Sequence, residues 1–357
     1  MHNNEPNLFC SLILLIFFLL TYVLIPLCRM EESNEDRYQE HCRQALSAAT
    51  LAHPEAMVFE GGGVLGTAYS GALQVAETHD ALRNLKRVGG ASAGAITAAA
   101  LASGADAEFI GRQLDSLDLR SLMDDSPGFL RDAWRLYTTG GIAQGATLDQ
   151  LLGKMFYDLT GDADVTFEQA FQRTGRELTV VSTSMNRRRS VYHSTLASPN
   201  MPIRRAVAAS AAFPIVFPMV NDGENMLWDG GLLDNYPIHL FDNFCATDAH
   251  TVRRWPNIDG TVGFKLLLDE ELTPPQQWPI NNVFDALKGL IACWHDAAMR
   301  VHVNNDLDWP RTVAIKVGSD VSSMNFSIDR EQREALYKAG ADGAKLFFGS
   351  KINARSD

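Results

Sequence analysis

Cysteine is scarce in this chain. Five occur in 357 residues (Cys10, Cys28, Cys42, Cys245 and Cys293), an odd number with no CxxC pair. That argues against a disulfide framework and against a zinc site built on thiolates. Positive charge is also short: 31 Lys and Arg face 43 Asp and Glu, for a formal net charge of −12. No extended Lys/Arg block offsets the deficit, so nucleic acid is not expected as a partner. Long-range attraction to an anionic membrane surface is disfavoured for the same reason. Any lipid contact is therefore expected to be apolar or inserted. Internal repeats and low-complexity tracts are missing too, which excludes solenoids and disordered arrays.

Apolar residues are plentiful. The chain is 46% hydrophobic and 21% charged, a globular composition with enough material for a sizeable core. Its length allows one large α/β domain or two smaller ones. Residues 8–28 carry no charge and match the length that spans a hydrocarbon core. They are expected to form a transmembrane anchor behind a short tail at 1–7. A cleaved signal peptide is the rival, but it would want a basic start, a shorter apolar run and small residues at a cleavage site. The first seven residues hold no Lys or Arg, and Ile25-Pro26-Leu27-Cys28 offers no A-x-A. Arg29 and Arg37 follow the span and no cation precedes it, so the remainder is expected on the cytoplasmic side.

Residues 29–55 read as a linker and a helix. Beyond them, short apolar runs end in glycines and are followed by helical spacing. Met57–Phe59 reads as a buried strand, residues 65–79 as a helix, Val88 as the end of a second strand, and residues 93–103 as a small-residue helix ended by Gly104. Repeated, this rhythm predicts an α/β fold on a mainly parallel sheet. Further on, 178–183, 190–193, 262–268 and 312–317 read as strands. Ile203–Ala212 reads as a helix stopped by Pro214. Asn221-Asp222-Gly223 signals a hairpin, and Ser327 is expected to cap a final helix running to about residue 348.

Three glycine-framed elements carry the chemistry. Gly90-Ala91-Ser92-Ala93-Gly94 lies between a strand and a helix, the context of a GxSxG nucleophile elbow. The helix N-terminus there favours developing negative charge. Gly61-Gly62-Gly63, with Gly66 beyond, also follows a strand, and consecutive glycines let backbone N–H groups converge on an oxyanion. A Walker A loop would need Lys and Ser/Thr after its last glycine, where Thr67-Ala68 stand. Gly61, Gly63 and Gly66 match a dinucleotide fingerprint, a weak signal that leaves Ser92 unexplained. A serine nucleophile needs a base, and none of the nine histidines lies in a motif-like setting. Asp229 does: it ends an apolar strand and precedes Gly230-Gly231, where partial burial would raise its pKa.

These motifs, with Asn235, Pro237 and the stretch Ala209–Pro214 through Phe217-Pro218, resemble the patatin-like phospholipases. The resemblance covers about residues 56–349, leaving a tail at 350–357. It implies a three-layer fold with a central, mainly parallel sheet flanked by helices. It implies a Ser-Asp dyad without histidine, with Ser92 as nucleophile, Asp229 as proton acceptor and Gly61, Gly62 and Gly63 as oxyanion donors. Gly66, Gly90, Gly94, Gly230 and Gly231 support the motifs. The implied reaction is hydrolysis of lipid carboxylic esters at a membrane, with no cofactor, calcium or other metal. The chain departs from the pattern at Leu65, where many members carry Arg or Lys. Transacylation or triacylglycerol hydrolysis on the same dyad, an α/β-hydrolase triad using His295 or His302, and a non-catalytic lipid-binding scaffold are the competing expectations.

Overall fold

The computed structural model describes residues 47–116, 145–214, 216–246, 252–255, 260–269, 280, 286, 302, 305–318, 321–323, 325 and 327–353. The span expected at 8–28 lies outside them. Among the described residues no helix is long and apolar enough to cross a membrane.

The first helix, α1 (Ala48–Ala52), is capped by the Ser47 side chain, which accepts the Thr50 N–H. It places Leu51 in the core, so part of the expected linker belongs to the folded body. Next come β1 (Ala56–Phe59), a 3₁₀ turn at Gly63–Thr67, α2 (Ala68–Thr78), β2 (Arg87–Ala91), α3 (Ala93–Ala102), α4 (Ala107–Ser116), α5 (Gly145–Thr160) and α6 (Phe167–Thr174). The chain continues through β3 (Glu177–Ser184), β4 (Arg189–Ser194), α7 (Ile203–Ser210), β5 (Val220–Asn221) and β6 (Met226–Asp229). A separate two-stranded ribbon, β7 (Asn243–Ala246) with β8 (Val252–Trp255), precedes β9 (Thr261–Leu267), β10 (Thr312–Lys316) and α8 (Arg330–Asn353).

The central sheet has eight strands in the order β10-β9-β1-β2-β3-β6-β5, with β4 also on β3. From β10 to β3 every pairing is parallel, whereas β4 and β6 run antiparallel to β3. The parallel strands are buried on both faces, as a helix-flanked sheet requires. All four residues of β1 and all seven of β9 are buried. The mainly parallel sheet expected from the sequence is present.

Three local expectations shift. Val88 is not the end of β2, which continues through Gly89 and Gly90 to Ala91. Those glycines read as a turn, yet they are strand because neighbours lie against them: a Cβ on Gly90 would sit 2.7 Å from the Phe59 carbonyl oxygen and 2.6 Å from the Gly94 carbonyl carbon. The helix expected from residue 65 begins as a 3₁₀ turn. The final helix starts at Arg330, where Asp329 and Gln332 bond each other's backbone N–H reciprocally, and it runs past 349 to Asn353. Most of the helix expected at 284–303 lies outside the described residues.

Candidate active site

Strand register decides where Ser92 and Asp229 meet. β2 occupies one edge of β3 from Glu177 to Val181, with Ala91 opposite Val181. There β2 ends and turns into α3. β6 takes over the same edge, with Asp229 opposite Ser182. The residue after Ala91 and the last residue of β6 thus arrive at one level, where one strand hands the edge to another. This lies at the carboxyl ends of the parallel strands, where open α/β sheets place their sites.

Ser92 is the N-cap of α3, with φ 51° and ψ −125°. A non-glycine residue held there is strained, and only surrounding structure keeps it so. The holding groups are visible. The Ser92 N–H donates to Ser210 Oγ at 2.9 Å, and Ser210 Oγ–H donates to the Val181 carbonyl at 2.5 Å. The Ser92 carbonyl accepts from Ala95 and Ile96 as the helix begins. Gly94 lies directly against the Glu60 carbonyl, where a Cβ would come to 2.6 Å, so β1 and α3 approach closely only without a side chain there.

Asp229 is 3% exposed. Its N–H donates to the Ala212 carbonyl at 3.0 Å, and its Oδ1 accepts the Gly231 N–H at 2.7 Å. Burial raises its pKa from 3.8 to about 6, opposed by the facing Ser92 hydroxyl and by the Gly231 N–H. Oδ2 is buried and closes no well-formed hydrogen bond among the described residues. Ser92 is therefore near enough to lower the Asp229 pKa without closing a well-formed hydrogen bond to it.

The glycine loop divides its work. Gly61 donates its N–H to the Asn235 carbonyl at 2.9 Å, and Asn235 Nδ2 donates back to the Gly61 carbonyl at 3.1 Å. This reciprocal pair straps the loop after β1 to the segment after Asp229. Gly63 holds φ 54°, a left-handed conformation beside the Ser323 carbonyl. The N–H groups of Gly62 and Gly63 have no hydrogen-bond partner among the described residues, whereas that of Gly61 is occupied. Gly66 packs against Ala93, while Gly230 lies against the Val181 carbonyl and Gly231 beside Asn235.

Two features were not legible as functional in the sequence. One is Ser210, whose only signal was its place in the Ala209–Pro214 stretch. The other is Glu60, just before the loop. It is fully buried, accepts from Lys265 Nζ at 2.8 Å and from the Leu266 N–H at 2.7 Å, and fixes the end of β1 against β9. Of the two late histidines, only His302 is described, and it pairs away from Ser92 and Asp229. His302 Nδ1 pairs with Asp308 Oδ2 at 2.8 Å, and His295 lies outside the described residues. Among the described residues no group of three or more His, Cys, Asp or Glu is placed to hold a metal.

A cavity of about 290 Å³ is lined chiefly by Leu148, Ala208, Ala212, Phe217 and Val220, with Asp149 and Arg205 also on its wall. Ala212 links it directly to Asp229 through the bond already described.

The patatin-like phospholipase family model matches residues 57–242. An uncharacterised protein of Acanthamoeba polyphaga mimivirus is 29% identical over 83% of this chain and 94% of its own length. The uncharacterised protein YqhO of Bacillus subtilis is 29% identical over 81% of this chain and 96% of its own. Triacylglycerol lipase ptl3 of Schizosaccharomyces pombe is 27% identical over 64% of this chain and 45% of its own. Among solved structures, VipD from Legionella pneumophila superposes with a TM-score of 0.53 over 84% of this chain and 67% of VipD, at 19% identity, a likeness of fold.

Proposed function

As the chain belongs to the patatin-like phospholipase family, we propose that it is a lipid acyl hydrolase of phospholipase A or lysophospholipase type working through Ser92 and Asp229. The observation that carries this reading is their meeting at the β2–β6 handover, with a buried, pKa-raised carboxylate facing the hydroxyl.

In this mechanism Ser92 Oγ attacks the ester carbonyl carbon while its proton passes to the open Oδ2 of Asp229. The carbonyl oxygen becomes an oxyanion and is stabilised by the unpartnered N–H groups of Gly62 and Gly63. Gly61, first expected as a third donor, instead orients the loop through Asn235. Collapse of the tetrahedral species expels the alcohol, which takes the proton from Asp229. Water then attacks the acyl-enzyme by the same route and releases the fatty acid, with neither calcium nor cofactor taking part. The apolar cavity beside Ala212 suits the acyl chain. An acceptor alcohol in place of water would give transacylation, and a triacylglycerol in place of a phospholipid would give lipase activity, so both remain alternatives on the same dyad. A non-catalytic lipid-binding scaffold is disfavoured because Ser92 and Asp229 are both present and facing.

The test is acyl release from phospholipids, lysophospholipids and triacylglycerols by wild type, Ser92→Ala and Asp229→Asn. Each substitution should reduce turnover by about a thousandfold or more, and the double variant should be no worse than either alone. Near-normal turnover by either single variant refutes the dyad.

Residues 8–28 are proposed to anchor the enzyme in a membrane with its catalytic domain on the cytoplasmic side. Their uncharged length supports this, as do the arginines that follow. Carbonate extraction should leave the full chain in the membrane fraction. Recovery of soluble chain lacking its first 28 residues would show a signal peptide instead.

A further inference from the structure

The sequence has one run of three arginines, Arg187-Arg188-Arg189. In a chain of net charge −12 it looked too short to matter, but the fold gives it a position. β3 continues past the level of the dyad: Ser182 lies opposite Asp229, and the strand runs on to Ser184 before turning through Met185–Arg188 into β4. At about 3.3 Å per residue the turn stands roughly 10 Å or more beyond Ser182 along the strand direction, on the same edge of the sheet as the nucleophile.

All five residues from Met185 to Arg189 are exposed. Arg187 pairs with Glu224 at 2.8 Å. Asp222, the other acid of the neighbouring β5–β6 turn, accepts from Asn225 and from the Glu224 N–H, and these bonds keep it ionised, so three arginines against Glu224 and Asp222 leave the tip one net positive charge. Arg188 and Arg189 have no ion-pair partner among the described residues. Arg188 holds φ 53°, the left-handed conformation that a tight β-hairpin turn takes. Apolar groups accompany the cations. Met185 is 39% exposed in the turn itself, Phe213 is 42% exposed next to the Ala212 that holds Asp229, and Leu233 is 49% exposed at the end of the 3₁₀ turn after Asp229.

We propose that this arginine-tipped hairpin, with Met185, Phe213 and Leu233, is the surface by which the enzyme docks on anionic phospholipid bilayers and brings the dyad to the lipid. The proposal rests on the lipid-hydrolase reading for its purpose but not for its test. The negative balance of the whole chain does not oppose it. Beyond a Debye length of about 8 Å at physiological salt, charges elsewhere on the molecule are largely screened, while cations at the surface act at contact. The acidic remainder also disfavours docking by other faces, which gives the tip an orienting role.

Flotation with vesicles tests this without requiring turnover, so failure of the hydrolase reading and failure of docking are separate results. The full chain is mixed with phosphatidylcholine vesicles or with vesicles containing about 30% phosphatidylserine. Binding to phosphatidylcholine alone reports whatever residues 8–28 contribute to both compositions. Each net positive charge should add about fivefold to binding at an anionic surface, so the wild type should prefer phosphatidylserine vesicles by about fivefold in ~50 mM salt and lose most of that preference in ~500 mM salt. Arg188→Glu with Arg189→Glu should abolish the preference, and the milder Arg188→Asn with Arg189→Gln should reduce it, neither with a melting temperature below that of the wild type. Equal wild-type binding to the two compositions overturns the proposal. So does a preference that survives charge reversal, or binding to a soluble acidic polymer with none to vesicles.

Discussion

Replacing Asp229 by Asn should stabilise the folded protein while removing its activity, and the gain should depend on pH in a defined direction. The carboxyl is 3% exposed, and its pKa rises from 3.8 to about 6, chiefly through burial. The native state therefore holds this proton more tightly than the unfolded chain does. Below about pH 3.8 both states are protonated and Asp229 costs nothing. Between about 3.8 and 6 the native state binds more protons than the unfolded state, so unfolding free energy falls as pH rises. Above about 6 the native state carries the full cost of a buried charge, about two pKa units at ~1.36 kcal/mol each, or about 3 kcal/mol. Asn cannot ionise. Its Oδ1 still accepts the Gly231 N–H, and its amide nitrogen occupies the place of Oδ2, facing the Ser92 hydroxyl. Urea unfolding of both proteins should show Asp229→Asn more stable by about 2–3 kcal/mol near pH 8, the gain shrinking to about 1 kcal/mol near pH 4.5 and vanishing below about pH 3.5, with unchanged m-values. A variant less stable than wild type near pH 8, or a gain that does not vary with pH, would refute the buried-charge assignment.

The same raised pKa sets the rate profile. A base must be ionised to accept the Ser92 proton, so kcat/KM should fall about tenfold per unit below about pH 6 and stay flat above it; an inflection near 7 that Asp229 cannot explain would point to a histidine base. Ser210→Ala removes the acceptor of the Ser92 N–H and releases the strained elbow. An unsatisfied donor of this kind costs about 1–3 kcal/mol, so kcat should drop about tenfold or more with KM little changed, whereas a matching loss in both parameters would indicate general misfolding.

The sequence by itself determined the fold class and the chemical groups. Met57–Phe59 is a continuous apolar run, and Leu178–Thr183 and Val262–Leu268 are rich in apolar and β-branched residues, which is enough to make strands buried on both faces legible. Ser92 and Asp229 stood out because each motif is local: a glycine frame around a strand-to-turn junction is written in neighbouring residues. What joins them is not local. That β6 takes over the β3 edge where β2 ends follows from strand register, which no short stretch of chain encodes. The Asn235 strap occupies the Gly61 N–H, and Ser210 clamps Ser92 from a distant helix; both exist only once the sheet is assembled. Glu60 and Lys265 could not be placed from residue type, because such charges are almost always exposed unless paired, and their pairing joins neighbouring strands β1 and β9 that lie 205 residues apart in the chain. The three arginines were visible as letters, but only the length of β3 beyond Ser182 placed them past the level of Asp229 at the end of that strand. Residue identity and local pattern supply reactive groups; the tertiary structure sets distance, burial and direction, and these depend on contacts between segments far apart in the chain.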